Sequence, residues 1–260
     1  MKRIDLVLVQ HNVTIGDVCG HKEPNITEDS MFYFDGKPIG FYIKDLSINY
    51  PKAAALAQLA NTELRSKNVP KSEMKRSSGL HDAKKEVLQY STIIGSCPPK
   101  PHMRRPYASR SSVHDVPSAK KFIKAMLMLC LESEAIIKEL TPDIYNQQKK
   151  IISDSTNEKW RFGNLFTSSI SNYNICAPFH KDGGNLQGCV NVIIAKKHNA
   201  TGGNTTVPDY NATMDSSDNS MLVYPAWRNV HGVTPIVPTA EGGYRNSLVF
   251  YPLKAFAGLK

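Results

Sequence analysis

Hydrophobic and polar positions divide the 260-residue chain into three stretches with different periods. In the first, Ser30–Phe34 and residues 39–43 are apolar-rich runs flanking Asp35-Gly36-Lys37-Pro38, which has the composition of a β-hairpin turn. Pro51 then opens an alanine-rich stretch to about residue 66 that predicts a helix, because proline at a first helical position gives up an N–H with no intrahelical partner. Residues 68–116 lose any period and are rich in Ser, Pro, Lys and Arg, as in Cys97-Pro98-Pro99-Lys100-Pro101. They read as long functional loops or a partly mobile lid.

The second stretch repeats every three to four residues: Phe122, Met126, Leu129, Cys130, Ile136, Ile137 and Leu140 share one helical face after a start at Pro117-Ser118. Thr141-Pro142 begins a second helix that reaches about Ile152. Such an apolar stripe is what a helix packed on a sheet requires, so it predicts core rather than a cofactor groove. The third stretch, about residues 161–259, breaks into short strands at 165–170, 188–195, 219–224 and 246–251, separated by Gly, Asn and Pro. Short strands without intervening helices predict a β-sandwich or barrel, and the chain as a whole reads as α+β. No internal repeat is visible.

Composition narrows the class. Hydrophobic residues at 41% and charged residues at 21% describe an ordinary globular protein and exclude a mostly disordered one. The longest apolar run, residues 125–131, is far below the ~20 residues a membrane crossing needs, so no membrane partner is expected. Met1-Lys2-Arg3 is not followed by the apolar run of a signal peptide, and Cys19, Cys97, Cys130, Cys176 and Cys189 are odd in number and scattered. These features predict reduced thiols in an intracellular protein. Cys19-Gly20-His21 lacks the second pair that a zinc site would need.

Charge changes the picture more. Residues 62–124 contain 14 Lys and Arg against five Asp and Glu, so this span alone carries the net +9 of the chain. A confined excess fits either a surface for a polyanion or a solvated, charge-rich loop region.

Candidate chemistry lies in the third stretch. Residues two apart on a strand face the same way, so His180 and Asp182 of His180-Lys181-Asp182 can aim at one point inside a barrel, with His231 as a third ligand after the strand ending at residue 224. Two imidazoles and a carboxylate on one octahedral face leave positions open, the donor set of non-haem Fe(II) oxygenases, whereas structural zinc sites close their shell. His198, in a Gly- and Asn-rich loop without a carboxylate two residues away, is the second choice for the distal ligand. The open positions suit a bidentate organic acid whose far carboxylate needs a fixed cation. Arg245 opens the last strand, its planar fork matches a carboxylate, and Ser247 shares its face.

His-x-Asp, a distal His about fifty residues on, and Arg-x-Ser ten or so after that resemble the 2-oxoglutarate/Fe(II) dioxygenases. Within them, residues 178–185 (Pro-Phe-His-Lys-Asp-Gly-Gly-Asn), followed by Gly202-Gly203 and Pro208, look like the ten-eleven-translocation and base-J-binding-protein (TET/JBP) group, which includes compact bacteriophage members. The resemblance covers about residues 172–251 and is faint before them.

It implies a double-stranded β-helix (jelly-roll) core with flanking helices and an elaborated N-terminal region. Residues 1–116 would be a mixed α/β part with basic substrate-binding loops, and residues 117–260 the helices and catalytic core, the whole forming one compact unit. It implies Fe(II) on His180, Asp182 and His231, 2-oxoglutarate held by Arg245 and Ser247, and O2 as oxidant. It also implies DNA as substrate, hydroxylated on the 5-methyl of thymine or 5-methylcytosine. Lys71, Lys75, Arg76, Lys100, Arg104, Arg105 and Arg110 would then contact phosphates, with Tyr90 or Tyr107 available for stacking. The same chemistry on a protein side chain or small metabolite, or a binding module with a decayed metal site, would leave the basic span incidental. Tyr173, Asn174 and the loop 197–218 receive no role from the motif.

Overall fold

A computed structural model describes residues 1–76 and 89–260. Strand β1 (Lys2–Asp5) runs parallel to β2 (Ser30–Phe34), which forms a hairpin with β3 (Lys37–Ile43). The hairpin turn is tighter than its four polar residues suggest. Only Asp35 and Gly36 turn, at φ of 49° and 72°, and Lys37 and Pro38 already lie in the strand. Positive φ at both turn residues matches the right-handed twist of the strands, and an Asp-Gly pair supplies it. Asp45 caps the one-turn helix α1 (Leu46–Asn49), and α2 (Pro51–Arg65) follows where the alanine-rich run predicts it.

The stretch read as loops contains more structure than expected: β4 (Lys75–Arg76), β5 (Tyr90–Cys97) and β6 (Ser109–Arg110). Tyr-Ser-Thr-Ile-Ile at the start of β5 has the aromatic and β-branched content of a strand, and the Ser, Pro and Lys on both flanks obscure it. Helices α3 (Lys120–Leu140) and α4 (Pro142–Ser155) then lead into β7 (Ser168–Tyr173), β8 (Ala177–His180), β9 (Asn191–His198), β10 (Ala200–Gly202) and β11 (Thr205–Val207). The chain finishes with β12 (Ala212–Met214), β13 (Met221–Tyr224), β14 (His231–Val233), β15 (Ile236–Pro238) and β16 (Tyr244–Tyr251).

Two of these strands start three residues later than their apolar runs predict, and the helices explain why. Glu134 of α3 accepts from the backbone N–H groups of Asn164 and Leu165 at 2.6 and 2.9 Å. Gln148 of α4 donates to the carbonyls of Leu165 and Val190 and accepts from the Val190 N–H. These side chains take the hydrogen bonds that a strand neighbour would take, so Leu165 and Val190 are buried without being paired.

Strands β13-β9-β16-β7 form the middle of a ten-stranded sheet, and β12-β11-β14-β8 form a four-stranded one, every pairing within these two sets being antiparallel. The chain steps back and forth between the two, which is the double-stranded β-helix. The larger sheet is extended on one edge by β3-β2-β1 and on the other by β5-β4. Alternate residues of β16 divide the labour. Leu248 and Phe250 pack under α2 and α3 with Phe122, Met126 and Leu129, each such burial being worth ~1.5–3 kcal/mol. Arg245, Ser247, Val249 and Tyr251 face the space between the sheets. A second cluster around Phe32, Tyr42, Val207, Met214 and Leu222 fills that space on the β13–β12 side. The remainder is an open cavity.

Candidate active site

The cavity encloses about 410 Å³ and draws its wall from both sheets, a size usual for small-molecule sites. His180 is the last residue of β8 and stands directly opposite His231, the first of β14. Asp182 follows in the turn after β8, where its N–H donates to the Ala226 carbonyl at 3.2 Å. Oδ1 of Asp182 lies 3.5 Å from Nε2 of His180 and 3.9 Å from Nε2 of His231. The three donor atoms lie within 4.8 Å of one another, and they are the one such group of His, Cys, Asp or Glu among the described residues. His198 stands apart, beside the Tyr244 ring at the end of β9.

Each candidate ligand is held from behind. Nδ1 of His180 bonds the Pro178 carbonyl at 2.8 Å, and Nδ1 of His231 bonds the Asn229 carbonyl at 3.1 Å. A carbonyl partner requires Nδ1–H, so in the neutral form of each ring Nε2 carries the lone pair and faces the cavity. The other oxygen of Asp182, Oδ2, accepts from Asn191 at 2.9 Å and from Asn185 at 3.4 Å, leaving Oδ1 for a metal. Burial, reinforced by the neighbouring His180, pushes the His231 pKa down to about 4, so this ring is neutral at pH 7. Burial alone would lower His180 as well, but hydrogen bonds to Asp182 and Pro178 outweigh it and raise the pKa. Trp227, in the loop that carries His231, donates its indole N–H to the Cys189 carbonyl. Two neutral-capable imidazoles and one carboxylate, with the cavity beyond them open, fit a hard-to-borderline divalent metal such as Fe(II).

Arg245 lines the same cavity and is 2% exposed. Its Nε donates to Ser216 at 3.0 Å, and no carboxylate among the described residues pairs with it. Burial lowers its pKa to about 10, which still leaves it charged at neutral pH. A buried, unpaired guanidinium is costly unless an anion joins it, so the site fits a carboxylate ligand. Ser247, two residues on, shares the wall. Lys197 pairs with Arg245 across β9 and β16 and donates to the Gly202 carbonyl at 2.8 Å.

The basic candidates scatter. Lys71 borders a separate pocket with Arg65, Tyr90 and Tyr173. Lys75 and Arg76 form β4, but their side chains lie outside the described residues. Arg105 and Arg110 line a groove with Ile93 and Cys97, and Glu73 and Asp115 line it too. Ile93 pairs with Ile170, which lines the cavity of the triad, so this groove lies alongside it on the same face of the sheet. Arg104 and Arg110 are exposed, Lys100 is half-buried, and Arg105 is tied to the Pro98 carbonyl. Tyr107 is exposed, whereas Tyr90 is stacked on Tyr173 at 5.0 Å.

Several supporting residues escaped the sequence. Asn185 and Asn191 orient Asp182, and Ser216 orients Arg245. Asn174, at φ 54°, exchanges bonds with the Arg245 backbone. Asn185 alone lay in the quoted motif; the others are ordinary polar residues until the strands pair.

Among known families, residues 98–254 match TET/JBP, described as the oxygenase domain of the 2OGFeDO superfamily. No curated protein matches the sequence. The fold is similar to that of NgTET1 in complex with 5mC DNA, at 13% identity and a TM-score of 0.59 over 96% of this chain and 85% of that one. OsALKBH1 aligns with 11% identity and a TM-score of 0.48 over 83% of this chain and 97% of that one. A 2OG-Fe(II) oxygenase family protein from Caulobacter crescentus aligns with 12% identity and a TM-score of 0.45 over 82% and 76%. Enzymes of the matched superfamily use Fe(II), 2-oxoglutarate and O2. The chain belongs to the TET/JBP oxygenases of the 2-oxoglutarate/Fe(II) dioxygenase superfamily.

Proposed function

We propose that this oxygenase hydroxylates the 5-methyl group of a pyrimidine, thymine or 5-methylcytosine, in DNA. The observation that carries the reading is the groove of Arg105 and Arg110 running beside the catalytic cavity on the same sheet face. Glu73 and Asp115 also line this groove, so its charge is mixed, and Arg110 is the exposed cation in it that a phosphate can reach while a base enters the neighbouring cavity. The similar structure of NgTET1 was solved with 5mC DNA, which makes the same substrate class the natural one to test.

In this reading His180, Asp182 and His231 hold Fe(II), and Arg245 with Ser247 holds the far carboxylate of 2-oxoglutarate. Bound iron would let O2 act as the oxidant, one oxygen atom ending in succinate as 2-oxoglutarate loses CO2 and the other in the C–OH formed from a methyl C–H. The chain supplies position. The side chains of His180 and Asp182 are 37% and 32% exposed, so the metal end of the cavity opens outward. A paired methyl group cannot reach it from the major groove, so the nucleotide must be extruded, at a cost of a few kcal/mol, offset by phosphate contacts. Asn172 and Tyr251 on the cavity wall offer an amide and a ring to the incoming base. Residues 1–116 would then contribute the DNA-binding loops and residues 117–260 the chemistry.

Nucleoside mass spectrometry after incubation of DNA with the iron-loaded protein and 2-oxoglutarate tests this directly. The expected products are 5-hydroxymethyl bases in polymeric DNA, with no comparable product from free nucleotides. Inert oligonucleotides alongside a hydroxylated nucleotide, peptide or metabolite would refute the DNA substrate.

A further inference from the structure

Residues 9–19 cross the four-stranded sheet and touch the carriers of both histidines in the triad. On one side, Gly16 donates its N–H to the Phe179 carbonyl at 2.8 Å and Phe179 returns its N–H to Asp17 at 2.9 Å. Strand β8 is the edge of its sheet, and this exchange covers that edge one residue before His180. On the other side, His11 Nε2 bonds Asp209 Oδ1 at 2.7 Å, and Asp209 Oδ2 accepts from the Asn229 amide at 2.6 Å. Asn229 is the residue whose carbonyl orients His231. The His11 tautomer follows from its other nitrogen: Nδ1 accepts from the Val13 N–H at 3.2 Å, so Nε2 carries the hydrogen given to Asp209. The Val9 N–H also donates to the Asp209 carbonyl at 2.9 Å. Between the two contacts, Cys19 packs so closely on Gly232 that a Cβ there would lie 3.1 Å from the Cys19 Cβ and 3.0 Å from the Phe179 ring.

We infer that this N-terminal arm is a clamp for the metal centre, with His11 and Asp209 as positioning residues that act on His231 through Asn229. The clamp rests on the proposed binding of the metal by His180, Asp182 and His231. A metal-bound imidazole must keep its lone pair aimed along one direction, and the carbonyl behind it sets that direction. Asn229 sits in the loop after β13, and its place depends on Asp209. Asp209 in turn is shared with a residue 198 positions away in sequence. The clamp thus converts an otherwise local loop into one fixed from outside the jelly roll. Both ligand carriers are braced by the same short segment, so the separation of the two imidazoles is set by the arm as well as by the β8–β14 pairing.

Fe(II) dissociation constants, titrated anaerobically on the full chain, test the inference, with thermal denaturation of the apo protein as a check on folding. Asp209→Ala and His11→Ala are each expected to weaken Fe(II) binding about ten-fold or more, within the range for outer partners of metal ligands. At saturating iron the KM for 2-oxoglutarate should stay unchanged. His11→Gln keeps an N–H donor at the same reach and should restore most of the affinity. His11 is on the surface side of the network, so His11→Ala gives a folded protein even if Asp209→Ala does not. Wild-type affinity in His11→Ala while His231→Ala loses iron would overturn the clamp and leave the triad standing. Equal losses in His11→Gln and His11→Ala would also overturn it, because the hydrogen bond would not be the cause. Unchanged affinity in His231→Ala would instead remove the triad reading itself.

Discussion

Arg245 and Lys197 bring two cationic side chains side by side across β9 and β16, and Arg245 is buried with its Nε donated to the neutral Ser216 hydroxyl. Arg245→Lys keeps the charge and loses the planar fork. Losing one charge-assisted hydrogen bond costs about 1.5–3 kcal/mol, so the KM for 2-oxoglutarate should rise roughly ten- to a hundred-fold while Fe(II) affinity stays put. Steady-state kinetics at saturating iron check this, and an unchanged KM would remove Arg245 from the co-substrate site. Lys197 makes a different prediction. Burial lowers its pKa from 10.5 to about 8, against a pull upward from Asp215 and with a further push down from Arg245. Between pH 8 and 10.5 the unfolded chain therefore holds a proton that the folded one has released, and folding stability rises with pH across that window. Below pH 8 both states are protonated and the cost is constant. Lys197→Met should lose this rise, read as the change in denaturation midpoint between pH 8 and 10 relative to the parent protein. Both positions show what the sequence can and cannot tell at this scale. Arg245 was legible because its spacing from His231 and its Ser247 partner are local. Lys197 was opaque because its significance comes from the residue across the ladder.

At the scale of elements, the corner between β10 and β11 shows how backbone freedom serves the site. Gly202 and Gly203 have φ of 72° and 71°. A Cβ on Gly202 would overlap the Pro235 carbonyl oxygen, whereas one on Gly203 would lie 3.1 Å from Cδ and 3.2 Å from Nε of Arg245. Left-handed backbone costs a non-glycine residue ~1–2 kcal/mol in either case. Gly202→Ala should therefore lose clearly more stability than Gly203→Ala. Gly203→Ala should fold and raise the 2-oxoglutarate KM by displacing Arg245, a split that denaturation and kinetics together would detect; equal stability losses would contradict it. The glycine pair stood out in the sequence, as did the hairpin, α2, α3 and the last strand, because each obeys a local period or turn rule. What stayed hidden obeys partners instead. Leu165 and Val190 look like strand residues but take their hydrogen bonds from Gln148, a helix side chain. The arm over β8 has no period at all: a local turn between Thr14 and Asp17 and the exchange of Gly16 and Asp17 with Phe179 give it its order. Asn191 and Asn229 are unremarkable amides until Asp182 and Asp209 arrive beside them.

At the scale of the whole molecule, the uneven charge should be visible as salt dependence. Each phosphate neutralised contributes about −0.9 to the slope of log affinity against log salt on duplex DNA. Neutralising Lys100, Arg104 and Arg110 together should weaken DNA binding and flatten that slope. Arg105 is better left in place, because its tie to Pro98 holds the loop. The 2-oxoglutarate KM should not move, Arg245 lying in another element, and a salt slope identical to that of the parent protein would show that the basic loops do not touch the backbone. In the larger sheet β16 is an inner strand between β9 and β7, with the first strands of the chain beyond β9 and β13 on one side and β5 beyond β7 on the other. During synthesis the sheet is therefore two half-sheets with exposed edges until residues 244–251 leave the ribosome. Arg245, the proposed co-substrate anchor, arrives on that same strand, so the chain cannot complete its fold without completing the wall of this cavity, and a nascent chain halted before β16 would present two sticky edges to the cell's chaperones.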